Sequence, residues 1–154
     1  METLHRLLVQ LEHKMPYREA ANVKVSEREV AWHIAHSLKV IYQISGAIQH
    51  SDPQQYRWQF NKTRSIVFLM NQIPRGKAKS PQSVIPSEDM TPTEFEQEFE
   101  KAKAAVLALD HLDAKKFFKH PIFGMLDLKR SKKFIALHTQ HHLKIIDDII
   151  KSIP

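Results

Sequence analysis

Two histidines near the end of the chain, His138 and His142, have a spacing that suggests metal chemistry. On an α-helix, side chains four positions apart lie on one face, one above the other. The same face carries Ile135, Ile145 and Ile149, so the pair lies within an apolar seam. Buried imidazoles need polar partners. One divalent metal ion would serve both, because imidazole is a common ligand of zinc, nickel and iron. The alternative is a pair of half-buried histidines held by hydrogen bonds.

A metal bound by two residues of one helix needs a third ligand from another helix, and residues 32–41 contain two candidates. Helical periodicity slightly favours His33, which lies nearer the apolar stripe of Ile34 and Ile41, over His36 on the flank. A bundle helix contacts two neighbours, so its buried arc is wide enough for either histidine. The residues alone therefore leave the third ligand open between His33 and His36.

The composition excludes several other kinds of site. The 154 residues include no cysteine, which rules out disulfides, thiolate metal ligands and a cysteine nucleophile. The net charge of +6 is spread along the chain and does not by itself indicate nucleic-acid binding. No apolar run approaches a membrane span, and the N-terminus lacks signal-peptide anatomy. We therefore expect one cytoplasmic domain, residues 1–154, without a membrane partner. Nucleic-acid binding through the basic loop and the cations of residues 129–133 is the weakest hypothesis.

Scarce glycine and short β-branched runs predict an all-α fold. Helical periodicity and capping signals predict five helices. They run from Thr3 to Lys14, from a Ser26–Glu29 capping box to about Gln49, from Asn61 to Pro74, from Thr91 to about Leu112, and from Asp127 to about Ser152. Four substantial helices and a shorter one predict a four-helix bundle with a short extra helix, and bundles build metal sites from inward side chains.

The third predicted helix and the loop after it are the least regular part of the chain. We expect this helix to bury Ile66, Val67, Leu69, Met70 and Ile73. The long loop, residues 75–90, carries Arg75, Lys77 and Lys79, which can bind an anionic substrate. The alternative is a solvated loop, which the usual exposure of charged side chains favours.

Four blocks of sequence together resemble a known family. They are residues 32–41 with His36-Ser37-Leu38 at their centre, residues 73–79 followed by Pro81, residues 120–124, and residues 138–146. With these blocks the chain resembles the DinB-like (YfiT-type) superfamily of metal-dependent enzymes, and within it the small uncharacterised branch. The resemblance implies an up-and-down four-helix bundle with a three-histidine metal site. Carried over, the ligands match His36, His138 and His142.

The resemblance also bears on the residues around the ligands. It makes His33 and His141 neighbours of the site or surface residues. His120 falls in a family motif, where it either lines the pocket or ends a turn. Gln43, two turns beyond His36, is a further candidate neighbour of the ligands or lining of the pocket, and the carboxylates of Asp147 and Asp148 are one turn beyond His142. None of these three is a convincing general base.

The function implied by the resemblance is that of a hydrolase or a low-molecular-weight-thiol transferase. It implies a divalent metal, with zinc or nickel expected first and iron or manganese as alternatives. The partners would be a small-molecule substrate, a thiol cosubstrate and, in a homodimer, a second copy of the chain. The alternative from another class is a non-catalytic interaction or stress-response module, in which the histidine site is structural or vacant.

Overall fold

The computed structural model describes residues 2–76 and 81–153, which form five α-helices and a two-stranded hairpin. The elements are α1 Glu2–Glu12, α2 Val30–His50, α3 Lys62–Met70, α4 Pro92–Ala108, β1 Phe117–His120, β2 Gly124–Asp127 and α5 Leu128–Lys151. α2 packs against α4 and α5, and α1 packs against the same two helices. The prediction of a mostly helical fold is confirmed, while the up-and-down arrangement stays a prediction.

The core lies between these four longer helices. Its fully buried aliphatic side chains come mainly from α1, α2 and α5: Leu8, Leu11, Ile34, Leu38, Ile41, Ile48, Ile135, Ile146 and Ile149. Those of α2 and α5 follow the helical spacing that the sequence predicts. α2 and α5 are therefore neighbours with their apolar stripes facing inward, as a site shared between them requires.

Three of the predicted helix starts are confirmed by their caps. The side chains of Asn61 and Asp127 each accept a hydrogen bond from the backbone N–H three positions on, at 2.8 Å. At the start of α4, Thr91 and Glu94 form a capping box. Such bonds satisfy backbone donors that the first turn leaves free.

The predicted capping box at the start of α2 is wrong. α2 begins at Val30, and Glu29 precedes it without any side-chain cap bond. The Ser26 hydroxyl instead accepts from the backbone N–H of Arg28, at 3.0 Å, and lies 2.9 Å from Nε2 of His33. A serine that resembles a helix cap in sequence is thus directed toward a buried histidine.

The all-α prediction is wrong over residues 117–127, which form the β1–β2 hairpin. Gly124 has φ of +71°, a left-handed conformation that glycine adopts without steric cost. Nδ1 of His120 accepts from the backbone N–H groups of Ile122 and Phe123, both at 3.1 Å. The glycine and the histidine together close a three-residue turn, for which helical periodicity offers no signal.

The predicted buried side of α3 is also largely wrong. Ile66, Leu69 and Met70 are 46%, 87% and 66% exposed, whereas Val67 is buried. The inward face carries Arg64, which is 5% exposed. Its guanidinium donates to three backbone carbonyls, those of Gln59, Phe123 and Met125. α3 is therefore fastened to the hairpin through a buried arginine, and apolar side chains face outward.

Candidate metal centre

α2 and α5 bring three histidines together between them. His36, His138 and His142 can each offer a ring nitrogen such that all three nitrogens lie within 4.8 Å of one another. His36 and His142 are buried, at 1% and 7% exposure, and His138 is half-buried. The ring centroids are 4.6 to 5.1 Å apart. These three residues, called the histidine cluster below, have the donor type and proximity that one divalent ion needs.

The orientation of His36 is set by two contacts. Its Nδ1 donates to the backbone carbonyl of Val84 at 2.8 Å, so the lone pair is on Nε2. The indole of Trp32 stacks on the ring, with centroids 4.7 Å apart and planes 14° from parallel. An imidazole that donates one N–H to a carbonyl is the usual arrangement of a metal-binding histidine. The carbonyl belongs to the described part of the long loop after residue 80, where Val84 and Ile85 both bond to side chains of α2.

His142 is held by a second histidine. Its Nδ1 lies 2.9 Å from Nδ1 of His33, and Nε2 of His33 lies 2.9 Å from the hydroxyl of Ser26. His33 is 4% exposed, so its bond to His142 is shielded from solvent, while Ser26 is half-buried. The structure thus places His36 in the cluster and His33 behind it, contrary to the slight preference of helical periodicity for His33.

His138 has a buried ring nitrogen, Nδ1, that has no hydrogen-bond partner among the described residues. A buried polar atom without a partner is costly, and most such atoms in native proteins are satisfied. A cation within the cluster offers a partner to a ring that the protein itself leaves incompletely satisfied. The donor set of three imidazoles fits zinc, nickel or iron.

The electrostatics favour the ligand form of every imidazole in the cluster. Burial lowers the pKa of His36, and it lowers the pKa values of His138 and His142 well below the usual 6.5. Burial also lowers the pKa of His33 to about 4. The rings are therefore neutral at pH 7, and only a neutral imidazole has a lone pair for a metal.

The other histidines of the predicted site have different positions. His120 closes the hairpin turn, and its ring stacks on Phe123 at a centroid distance of 4.4 Å. His141 lies beside the cluster, with its ring 5.2 Å from that of His142 and perpendicular to it. Gln43 is exposed and, at seven residues beyond His36, about 10 Å along the helix. The structure does not bring Gln43 into the cluster.

The charged residues predicted near the site either form ion pairs or lie outside the residues that the structure describes. Arg75 forms an ion pair with Asp148 at 2.7 Å, and Asp147 pairs with Lys14 at 2.6 Å. Those two carboxylates are therefore held by cations rather than aimed at the cluster. Lys77 and Lys79, the other predicted anion-binding residues, lie outside the described residues.

Sequence reasoning missed two groups that orient the ligands. The first is the carbonyl of Val84, because a backbone acceptor supplied by a loop leaves no trace in residue type. The second is Ser26, which precedes His33 by seven residues. The sequence does not indicate how the connector between Ser26 and α2 folds. The resemblance to a family left His33 as either a neighbour of the site or a surface residue.

Comparison with protein-family models, with curated proteins and with solved structures gives no match to this chain. Membership of the DinB-like superfamily therefore stays a prediction. Within the part of the chain that the structure describes, no helix combines the length and apolarity needed to cross a membrane.

Proposed function

We propose that the chain is a metal-dependent enzyme of the DinB-like class in which the histidine cluster binds one divalent ion. The observation that carries the proposal is the convergence of His36, His138 and His142 to within 4.8 Å. The unpartnered Nδ1 of His138 and the fixed orientation of His36 support it. Zinc or nickel is expected first, because three neutral imidazoles suit both, with iron or manganese as alternatives.

The reaction that we propose is hydrolysis or transfer of a low-molecular-weight thiol to a small-molecule substrate. Three protein ligands leave coordination positions open, and the bound metal supplies a Lewis acid that acidifies water or holds a thiolate. The protein's own contribution is orientation: Val84 holds His36, and His33 holds His142. Asp147 and Asp148 are already ion-paired, so neither is proposed as the general base.

The test is the metal content of tag-free protein, measured by mass spectrometry. We expect about one divalent ion per wild-type chain. His142→Ala should bring the content close to zero, because it removes a ligand from the centre of the cluster. His111→Ala is the matched control, because His111 is exposed and lies on a different element. Metal retained after replacement of all three cluster histidines would overturn the proposal.

A second candidate is the non-catalytic module, and one observation favours it. His36 and His142 already have hydrogen-bond partners within the protein, so burial alone does not demand a metal at either residue. The two candidates differ in their response to added metal, because a ligand that binds only the native state raises its apparent stability. A melting temperature that stays constant with zinc, nickel and manganese would select the module.

A further inference from the structure

Exposed apolar side chains concentrate at one end of the molecule. Of the ten large hydrophobic side chains that are exposed in the described residues, six lie on or beside α3. They are Trp58, Phe60, Ile66, Leu69, Met70 and Ile122, called the α3 surface below. Single exposed hydrophobics are ordinary, but a group of this size on a small domain marks an interaction site.

Three members of the α3 surface share one face of that helix, and the other three lie in segments next to its first turn. Ile66, Leu69 and Met70 follow Lys62 at helical spacings of four, seven and eight, which places all four on one face of α3. The buried Arg64 occupies the opposite face. Trp58 and Phe60 come just before the cap Asn61, whose amide donates to the carbonyl of Ile122 at 2.8 Å. That bond fastens the hairpin turn to the start of α3.

The charged side chains of the two segments that carry the α3 surface are all positive. Residues 53–70 and 114–126, which carry all six members of the α3 surface, contain no aspartate or glutamate. The same two segments contain six lysines and arginines: Arg57, Lys62, Arg64, Lys115, Lys116 and Lys119. Arg57, Lys62 and Lys119 are exposed. The apolar side chains are thus accompanied by cations without a neighbouring acid in either segment.

We propose that the α3 surface docks on an anionic membrane surface. Leu69 and Met70, the most exposed aliphatic side chains of the group, would enter the boundary between headgroups and acyl chains. Trp58 has the amphipathic ring that settles at this interface, and Lys62 would face lipid phosphates. Docking in this manner needs no spanning helix and does not depend on the histidine cluster.

Other occupants fit these features less well. A second copy of the chain would bring two surfaces of the same sign together, which like-charge repulsion opposes. A single-stranded nucleic acid would find cations and two aromatic rings, but the aliphatic side chains offer no stacking face for bases. An anionic lipid surface satisfies both the aliphatic and the cationic groups.

The test is co-sedimentation with phosphatidylcholine vesicles that contain about 30% phosphatidylglycerol, at low salt. Wild-type protein should bind these vesicles and bind pure phosphatidylcholine at least about ten-fold more weakly. The double substitution Leu69→Glu/Met70→Glu should lower binding about ten-fold or more, and Lys62→Gln about five-fold. The matched control is Val23→Glu/Leu107→Glu, at two other exposed hydrophobics, of which Leu107 lies on α4. Circular dichroism verifies that each variant is folded.

Trp58 provides an independent measurement of vesicle binding, because its fluorescence emission should shift to the blue when the anionic vesicles are added. The proposal is overturned if wild-type protein does not bind these vesicles, or if both double variants bind alike. A dimer that the α3 substitutions dissociate would identify a second copy as the occupant instead. Binding of single-stranded DNA that these substitutions abolish, without vesicle binding, would identify a nucleic acid.

Discussion

His33 lies between Ser26 and His142, and replacing it tests whether the protein orients His142 as a metal ligand. Both hydrogen bonds of the chain measure 2.9 Å, and the ring nitrogens permit two directions. If Nδ1–H of His142 donates to His33, then Nε2 of His142 keeps its lone pair for a metal. In the reverse direction Nε2 carries the proton and cannot bind. We expect the first direction, in which His33 donates onward to the Ser26 hydroxyl.

The expected loss follows from what His33→Ala removes. The buried Nδ1–H of His142 would have no acceptor, and the ring would no longer be held in one tautomer and orientation. Partners of this kind are typically worth about 10- to 100-fold in metal affinity, or about 1.4 to 2.7 kcal/mol. Ser26→Ala should lose less than His33→Ala, because His33 can still accept from His142 when Ser26 is absent.

The assay is a competition titration of zinc against a chromophoric chelator near neutral pH. His141→Ala is the matched control, because its ring also lies beside His142, at 5.2 Å, but shares no hydrogen bond with it. Urea unfolding of the metal-free variants separates lost affinity from lost stability. The reasoning is refuted if His33→Ala binds zinc within about two-fold of wild type while His142→Ala does not bind.

Two further predictions concern stability. His120→Ala should lower the free energy of unfolding by about 1 to 3 kcal/mol in urea denaturation, because two backbone donors in the hairpin turn lose their acceptor. The metal-free protein should also lose stability as the pH falls from 6.5 toward 4. Burial lowers the pKa of His33 to about 4, so in this range the unfolded chain binds a proton that the native state does not. His33 alone then contributes a loss of about 1.4 kcal/mol for each pH unit.

Each stability prediction has its own control. His111→Ala, at an exposed histidine, should leave the free energy of unfolding unchanged, and an equal effect at His111 and His120 would contradict the turn argument. For the pH dependence, His33→Asn should reduce the slope between pH 6.5 and 4. If the slope is the same in this variant and in wild type, His33 does not contribute to the loss of stability at low pH.

Local patterns account for the elements that the sequence predicted well. The apolar spacing of α2 and α5 and the caps at Asn61, Thr91 and Asp127 all depend on residues within one or two helical turns. The i, i+4 relation of His138 and His142 is local in the same sense. These local features do not depend on how the helices pack, so they can be predicted from the order of residues.

The failures of prediction share a different cause. Ser26 matches a capping box, but its hydroxyl is directed to His33, seven residues away. The apolar spacing of α3 predicts a buried face, but that face is exposed. Spacing within one helix does not indicate whether another element packs against it. The hairpin lies where helical periodicity ends. Its turn depends on the conformation of Gly124 and on the hydrogen bonds of His120, and neither produces a repeating pattern in the sequence.

Composition and local spacing were enough to predict a mostly helical chain in which one helix presents two histidines on a single face. Helical periodicity left the histidine of α2 open and the family resemblance implied His36, but it is the packing of the helices that brings His36 to the pair. His33 and His36 differ by less than one turn, and both lie within the buried arc of the helix. The choice depends on how α2 is rotated against α5 and on where the Val84 carbonyl is placed. Both are set by long-range packing, which residue spacing along one helix does not encode.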